Sequence, residues 1–143
     1  LIVGQSGDFS REVSAETVEF MDEIPLEKLA PLLSQCHLGI CLLKETDAMR
    51  KALPAKFYDF IGAGLPVIAS PGGEMVDMIE NEGLGVGLQT NDPSLIADII
   101  LDFYRERDRL EKLRTRVLRS RPQFGRRVQA EVLLETMKRE VAD

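Results

Sequence analysis

The sequence has one histidine and two cysteines, and it has no long apolar run. Each scarcity excludes a class of protein. His37 has no second imidazole to complete a metal site or a catalytic dyad, and its place between a helix and a buried strand marks it as structural. Cys36 and Cys41 are too few and too close for a disulfide framework. Two buried free thiols in a reducing compartment are the expectation. Nothing approaches the roughly 20 apolar residues of a membrane span, and no stretch has the pattern of a signal peptide. Repeats and low-complexity tracts are also missing. Basic residues are scarce in the first hundred positions, with 16 acids against 6 Lys/Arg.

What is present fits a single domain with a real core: 143 residues, 44% hydrophobic and 29% charged. The chain opens inside the apolar run Leu1–Ile2–Val3–Gly4 without a starting Met, so it is read as part of a longer protein. The last 43 residues reverse the charge balance, with 12 Lys/Arg against 8 acids, dense from Arg105 to Arg127. Such a run weakly suggests nucleic acid. Its arginines alternate with Glu106, Asp108 and Glu111, however, and Leu110, Leu113, Val117 and Leu118 keep helical spacing. A solvated helix face is the better reading, with a patch for anionic lipid behind it.

Apolar periodicity alternates between strands and helices. Strands are expected at 1–4, 18–21, 38–43 and 67–69, with a short last one within 83–88. The run Leu38–Leu43 is continuous enough for a strand covered on both faces. Helices are expected at Leu26–Gln35, Pro54 onward, Glu74–Glu82, Ser94–Tyr104, Arg109–Arg119 and Arg127–Val141. The helix at 94–104 should turn Leu95, Ile96, Ile99, Ile100 and Phe103 inward. The last helix should be amphipathic through Val128, Val132, Leu133 and Met137. Asp92 and Pro93 read as an N-cap and a first helical residue. Gly4-x-x-Gly7 is a weak phosphate signal, because the loop runs into polar sequence rather than opening a helix. The fold class is therefore α/β, a doubly wound parallel sheet. Ligands of such sheets sit beyond the carboxyl ends of the strands. The loops holding Ile24, Lys44–Leu53 and Ser70–Gly73 all belong to that edge.

The most informative stretch is Pro54–Glu74. It reads as a helix opened by Pro54, a stop at Gly62 and Gly64, the strand Val67–Ile68–Ala69, and the break Ser70–Pro71–Gly72–Gly73 before another helix. Lys56 and Asp59, three apart, share a face of the first helix. A lysine in a first helical turn opposes the macrodipole unless an anion sits there. Asp59, one turn deeper, is placed to accept from sugar hydroxyls. Phosphate at the helix tip with a diol beside it is the footprint of a nucleotide. From spacing alone, an ordinary exposed i,i+3 pair is the commoner explanation. Lys44, Arg50, Lys51 and Lys56 gather most of the positive charge of the first hundred residues around this one turn.

At these residues the chain resembles the donor-binding half of the GT-B glycosyltransferases, the large retaining family of the family 4 type, group 1. That family includes sucrose synthases and bacterial mannosyl- and N-acetylhexosaminyl-transferases. Its members carry two acids eight positions apart, then a small-residue turn, Pro-Val-Val-Ala-Ser and a glycine pair. Asp59 matches the second acid, which holds the ribose. Lys51 stands where the first acid would hold donor-sugar hydroxyls. That departure is similar to a subgroup with the motif Lys-x-Leu-Pro-Ser-Lys-x-x-Glu, seen here as Lys51–Ala52–Leu53–Pro54–Ala55–Lys56–Phe57–Tyr58–Asp59. The subgroup is associated with amino-sugar transfer in bacterial surface-polysaccharide synthesis, and the resemblance implies a role of this chain in surface-polysaccharide or glycolipid synthesis.

The resemblance implies a retaining hexosyltransferase that takes a nucleotide-diphospho sugar, a UDP or GDP sugar, without a metal or other cofactor. Residues 1–143 would then be the Rossmann-like C-terminal half of a two-domain GT-B architecture, without its first strand–helix unit and inactive alone. Its partners would be the nucleotide sugar and its own N-terminal acceptor domain, not nucleic acid. The protein would be cytoplasmic, with room for peripheral contact at the inner face of the membrane. Lys51, Ala52, Leu53, Pro54, Ala55, Lys56 and Asp59 would bind the donor. Met21, Asp22 and Ile24 would face the base, although Ile24 serves equally well as a staple to the helix that follows it. No catalytic residue is assigned. Two alternatives share the architecture: a sugar-nucleotide 2-epimerase, and a non-catalytic α/β binding module. A receiver domain fits poorly, because the strand at 38–43 ends in Lys44 rather than in an aspartate.

Overall fold

The computed structural model describes residues 2, 3 and 18–142. The expected loop at Gly4–Gly7 and the polar segment 8–16 lie outside the described residues. The chain divides into two units, Leu1–Leu32 and Leu33–Asp143.

In the first unit β1 (Ile2–Val3) runs parallel to β2 (Phe20–Met21), with Ile2 opposite Phe20 and Val3 opposite Met21. Helix α1 (Leu26–Leu33) then begins after Pro25, two residues shorter than its apolar period suggests. Pro31 lies inside it and removes one helical hydrogen bond, to the turn before it.

The second unit is built on three parallel strands in the order β3 (Gly39–Leu42), β4 (Val67–Ser70), β5 (Gly85–Gly87). The strands expected in one sheet are thus divided between two among the described residues. All four residues of β4 are buried, because helices cover both of its faces. Val67 and Ala69 point to one side, where α3 (Ala55–Ala63) and α4 (Glu74–Glu82) bring Phe57, Ile61, Met75, Val76 and Ile79. Ile68 points to the other side, where it meets Phe103 of α5 (Pro93–Arg105) and Leu110 of α6 (Arg107–Ser120). The period of two along the strand thereby sorts the apolar residues into two layers. The result is a doubly wound α/β unit with a parallel sheet.

Strand β3 departs from expectation. Gly39 and Cys41 are buried, but Ile40 and Leu42 are 41% and 38% exposed. It is an edge strand of this sheet, and its second face stays outside the layers packed on β4.

The helix ends follow local chemistry. Gly64 (φ 76°) closes α3, receiving the left-handed turn that L-residues resist. Gly62, expected to share that role, sits inside the helix with open space around it. Pro54 is the residue before the helix rather than its first. Gly83 (φ 63°) closes α4. Asp92 accepts from the Ser94 N–H at 2.8 Å and Pro93 opens α5, as the sequence indicates. Within α5 only Phe103 is fully buried, while Leu95 and Ile100 face outward.

Helix α6 starts two residues before its expected position, because Glu106 alone separates it from α5. A 3-10 turn, Arg121–Phe124, leads to α7 (Arg126–Ala142). The amphipathic stripe expected on α7 is not formed: Val128, Val132, Leu133, Leu134 and Met137 are all exposed. Their positions spread around the helix axis, so no single face collects them. Among the described residues no helix is long and apolar enough to cross a membrane.

Candidate functional site

Three loops leave the carboxyl edge of the β3–β4–β5 sheet, and hydrogen bonds tie them together. The loop after β3 is not irregular throughout. It holds a short helix, α2 (Asp47–Arg50), capped by Thr46, whose hydroxyl accepts from the Met49 N–H at 3.3 Å. From the end of α2, Arg50 Nη1 donates to the Gly72 carbonyl at 2.7 Å. This bond joins the β3 loop to the turn after β4. Gly73 lies against the Arg50 main chain with φ 148°, and a Cβ there would collide with the Arg50 carbonyl. Gly73 is therefore required by close backbone approach as well as by its dihedrals, whereas a Cβ at Gly72 would meet only the Gln89 side chain.

The loop after β5 joins the β3 loop through Asn91 and the turn after β4 through Gln89. Asn91 Nδ2 donates to the Leu43 carbonyl at 2.7 Å, and its main-chain N–H donates to Glu45 Oε1 at 2.6 Å. The Gly72 N–H donates to the Gln89 carbonyl at 3.3 Å, closing the circuit.

The seven residues Lys51, Ala52, Leu53, Pro54, Ala55, Lys56 and Asp59 follow this latched loop into α3. Lys51, Ala55 and Lys56 are exposed, and Ala52, Leu53, Pro54 and Asp59 are half-buried. Pro54 offers no side-chain cap, and the N–H groups of Ala55 and Lys56 have no acceptor among the described residues. Lys56 does not pair with Asp59. Its Nζ turns back to the Leu42 carbonyl at 3.4 Å, and Asp59 makes no ion pair among the described residues. Two further polar atoms on this edge are buried and unbonded, Ser70 Oγ and Asn91 Oδ1. Unpaired buried polar atoms are uncommon in folded proteins and often mark a site for a ligand or water.

The Cys41 thiol lies beneath this edge. Burial pushes its pKa up, and the charge of Lys56 opposes that shift. The thiol therefore stays neutral at ordinary pH and is not a nucleophile. Cys36 forms no disulfide and is only partly buried, and His37 is exposed. No group of three His, Cys, Asp or Glu among the described residues could hold a metal ion.

Met21, Asp22 and Ile24 belong to the first unit. Met21 ends β2, Asp22 is exposed and Ile24 is half-buried in the turn before α1. Sequence reasoning missed the bonding roles of Arg50 and Asn91. Arg50 stood out as one of four clustered cations, and it uses one N–H as a latch. Asn91 read only as part of a helix start. Both contacts span more than twenty residues, and neither has a local sequence signal.

Residues 1–106 match the family model described as glycosyl transferases group 1. The match covers well over half of the chain and includes the whole carboxyl edge. The chain belongs to the group 1 glycosyltransferases. No curated protein and no solved structure matches it. In a group 1 glycosyltransferase domain, the convergence of latched loop, open helix start and glycine turn falls where open α/β sheets bind their ligands.

Proposed function

We propose that this chain is the donor-binding domain of a retaining glycosyltransferase that uses a nucleotide-diphospho sugar. The sugar would be transferred to an acceptor in surface-polysaccharide or glycolipid synthesis. The observation that carries the reading is the start of α3: open N–H groups at Ala55 and Lys56, with Lys56 and Asp59 on one face and not paired to each other. Paired carboxylate and ammonium would have been a complete surface feature. Unpaired, they offer a cation beside the helix tip and a carboxylate one turn further along.

The diphosphate sits at the α3 start, where N–H groups and the dipole favour an anion. Lys56 swings from its long bond to Leu42 onto a phosphate oxygen. Asp59 accepts from the ribose hydroxyls. Lys51 and the main chain of Ala52–Ala55 face the sugar. As the glycosidic bond breaks, negative charge grows on the departing nucleotide diphosphate. Fixed N–H donors and lysines stabilise that charge where it forms.

Calorimetric titration of UDP, GDP and ADP, then of UDP-N-acetylglucosamine, tests it on the longest available form of the protein. One nucleotide binds saturably. Lys56→Ala and Asp59→Ala each weaken it by roughly 10–100-fold, as expected for losing a charge-assisted contact of about 1.5–3 kcal/mol. Unchanged affinity in Asp59→Ala removes the ribose role. Binding of no nucleotide at all favours a non-catalytic module.

A further inference from the structure

A second cluster of charge lies at the other end of the strands. Gly85 pairs with Val67, the first residue of β4, whereas the donor edge begins where Ser70 ends that strand. Gly85 and Val86 border an open cleft of about 760 Å³. Arg105, Arg107, Arg109, Lys112 and Arg116 line it.

The fold explains why these residues converge. A single residue, Glu106, separates α5 from α6, so Arg105 closes one helix as Arg107 opens the next. Along α6, Arg109, Lys112 and Arg116 stand at i, i+3 and i+7, which is one helical face. The alternation with acids that suggested a merely solvated face does not neutralise this one. Only Glu106 and Asp108 reach the cleft, two carboxylates against five cations.

These cations are also unpaired. The single ion pair among the described residues is Arg127–Glu131, outside the cleft. Like charges at i,i+3 and i,i+4 on a helix repel one another by a few tenths of a kcal/mol each. The structure holds the guanidiniums by other means. Arg107 Cζ lies 4.9 Å from the centre of the Tyr104 ring, and Arg109 Cζ lies 5.3 Å from that of Phe103. Arg116 Nε donates to the Glu82 carbonyl at 3.0 Å. Stacking on a ring fixes the plane of a guanidinium and leaves its N–H donors free. The cleft therefore presents positively charged donors, of which Arg107 and Arg109 are oriented by rings and Arg116 spends only its Nε on a carbonyl.

We infer that this cleft binds a phosphate-bearing ligand at a place separate from the donor edge. Forked N–H donors match phosphate oxygens in pairs. An excess of three positive charges suits a multiply charged group such as a pyrophosphate. The volume lies within the usual range for small-molecule sites. A nucleic-acid strand fits less well. Base stacking needs open aromatic faces in the site, and no aromatic side chain lines this cleft.

The test follows the backbone amide signals of residues 105–116 by NMR during two titrations. The first adds sodium pyrophosphate at low salt. Saturable shifts are expected there, and the Arg105→Gln/Lys112→Gln double variant weakens the apparent affinity by about tenfold or more. Both side chains are exposed and neither is held in the core, so the variant keeps its fold; Arg107→Gln provides a second check with the same expected direction. The second experiment is flotation with vesicles of pure phosphatidylcholine or of equal parts phosphatidylcholine and phosphatidylglycerol. Flotation only with the anionic vesicles, lost in the double variant, assigns the phosphate to a lipid headgroup. Pyrophosphate binding without flotation assigns it to a soluble ligand. The inference is overturned if neither probe engages the cleft, or if the double variant binds pyrophosphate as the parent does. Binding of a single-stranded oligonucleotide that pyrophosphate does not displace overturns it too. Lys56→Ala leaves the signals of the cleft responsive, so failure of the donor-site reading is distinguishable from failure here.

Discussion

Phe57→Ala destabilises the chain by about 3–5 kcal/mol, the usual cost of removing a buried aromatic side chain. Phe57 is wholly buried in the layer between α3 and the sheet. Its ring meets Tyr58 at 5.2 Å and Phe124 at 6.2 Å between centroids, both edge-to-face. Truncation removes the ring from Cys41, Val67 and their neighbours, and it also breaks the aromatic link to the 3-10 turn that precedes α7. A loss of that size is a large fraction of a typical domain's stability of about 5–15 kcal/mol. Urea unfolding monitored by circular dichroism reads it as a lower midpoint with the slope nearly unchanged. An unchanged midpoint would mean that the α3 layer does not depend on this ring.

The same substitution separates support from contact at the proposed site. Phe57 sits between Lys56 and Asp59 in sequence but points into the core. Nucleotide affinity in Phe57→Ala therefore falls in proportion to the unfolded fraction, and recovers on cooling or in a stabilising salt. In Lys56→Ala and Asp59→Ala the fold persists and the affinity stays low. A helix that carries ligand groups on one face and core on the other predicts this division.

Much of this arrangement was legible in the sequence because it rests on local chemistry. Apolar period and glycine stops located α3, β4 and α4 within a residue or so, and Asp92–Pro93 announced α5. The covered strand Val67–Ser70 was recognisable because burial on both faces demands an unbroken apolar run. The same argument failed at Leu38–Leu43. An apolar run shows that a strand is capable of burial on both faces, and the identity of its neighbours decides whether it is so buried. Ile40 and Leu42 lie on an edge strand of their sheet and stay exposed. Helix α7 failed for a related reason: naming Val128, Val132, Leu133 and Met137 as a stripe overlooked Leu134, which widens the apolar arc past any one face.

At the candidate site, the spacing of Lys56 and Asp59 was readable but their pairing was not. An i,i+3 distance permits an ion pair, and the nearby Leu42 carbonyl offers the ammonium a different partner. Long-range latches were beyond reach altogether. Nothing near Arg50 specifies a carbonyl twenty-two residues later, and the binding power of Asn91 depends on two loops that only the folded sheet brings together. The basic cleft shows the converse. Its residues were all visible as a charged run, but the one-residue joint at Glu106 decides that they face a common space.

Gly73→Ala is the second large effect, and it acts through the backbone. The residue adopts φ 148° and ψ −164°, a region essentially reserved for glycine, so an L-side chain there costs on the order of 1–3 kcal/mol. The added methyl also meets the Arg50 main chain, which is backbone and cannot rotate away. Relief requires the α2 segment and the Ser70–Gly73 turn to part, and that movement breaks the Arg50–Gly72 hydrogen bond. Both consequences fall on the carboxyl edge. The variant therefore unfolds at lower temperature and also loses nucleotide affinity in its folded form, unlike a core substitution. Gly62→Ala is the matched control. Gly62 lies inside α3 with open space where its Cβ would go, so alanine there stabilises the helix by about 0.5–1 kcal/mol. Thermal unfolding of the two variants should move in opposite directions. If Gly73→Ala instead matches the parent in both midpoint and nucleotide titration, the contact between the β3 loop and the glycine turn does not hold the site together, and the donor-binding role loses its structural support.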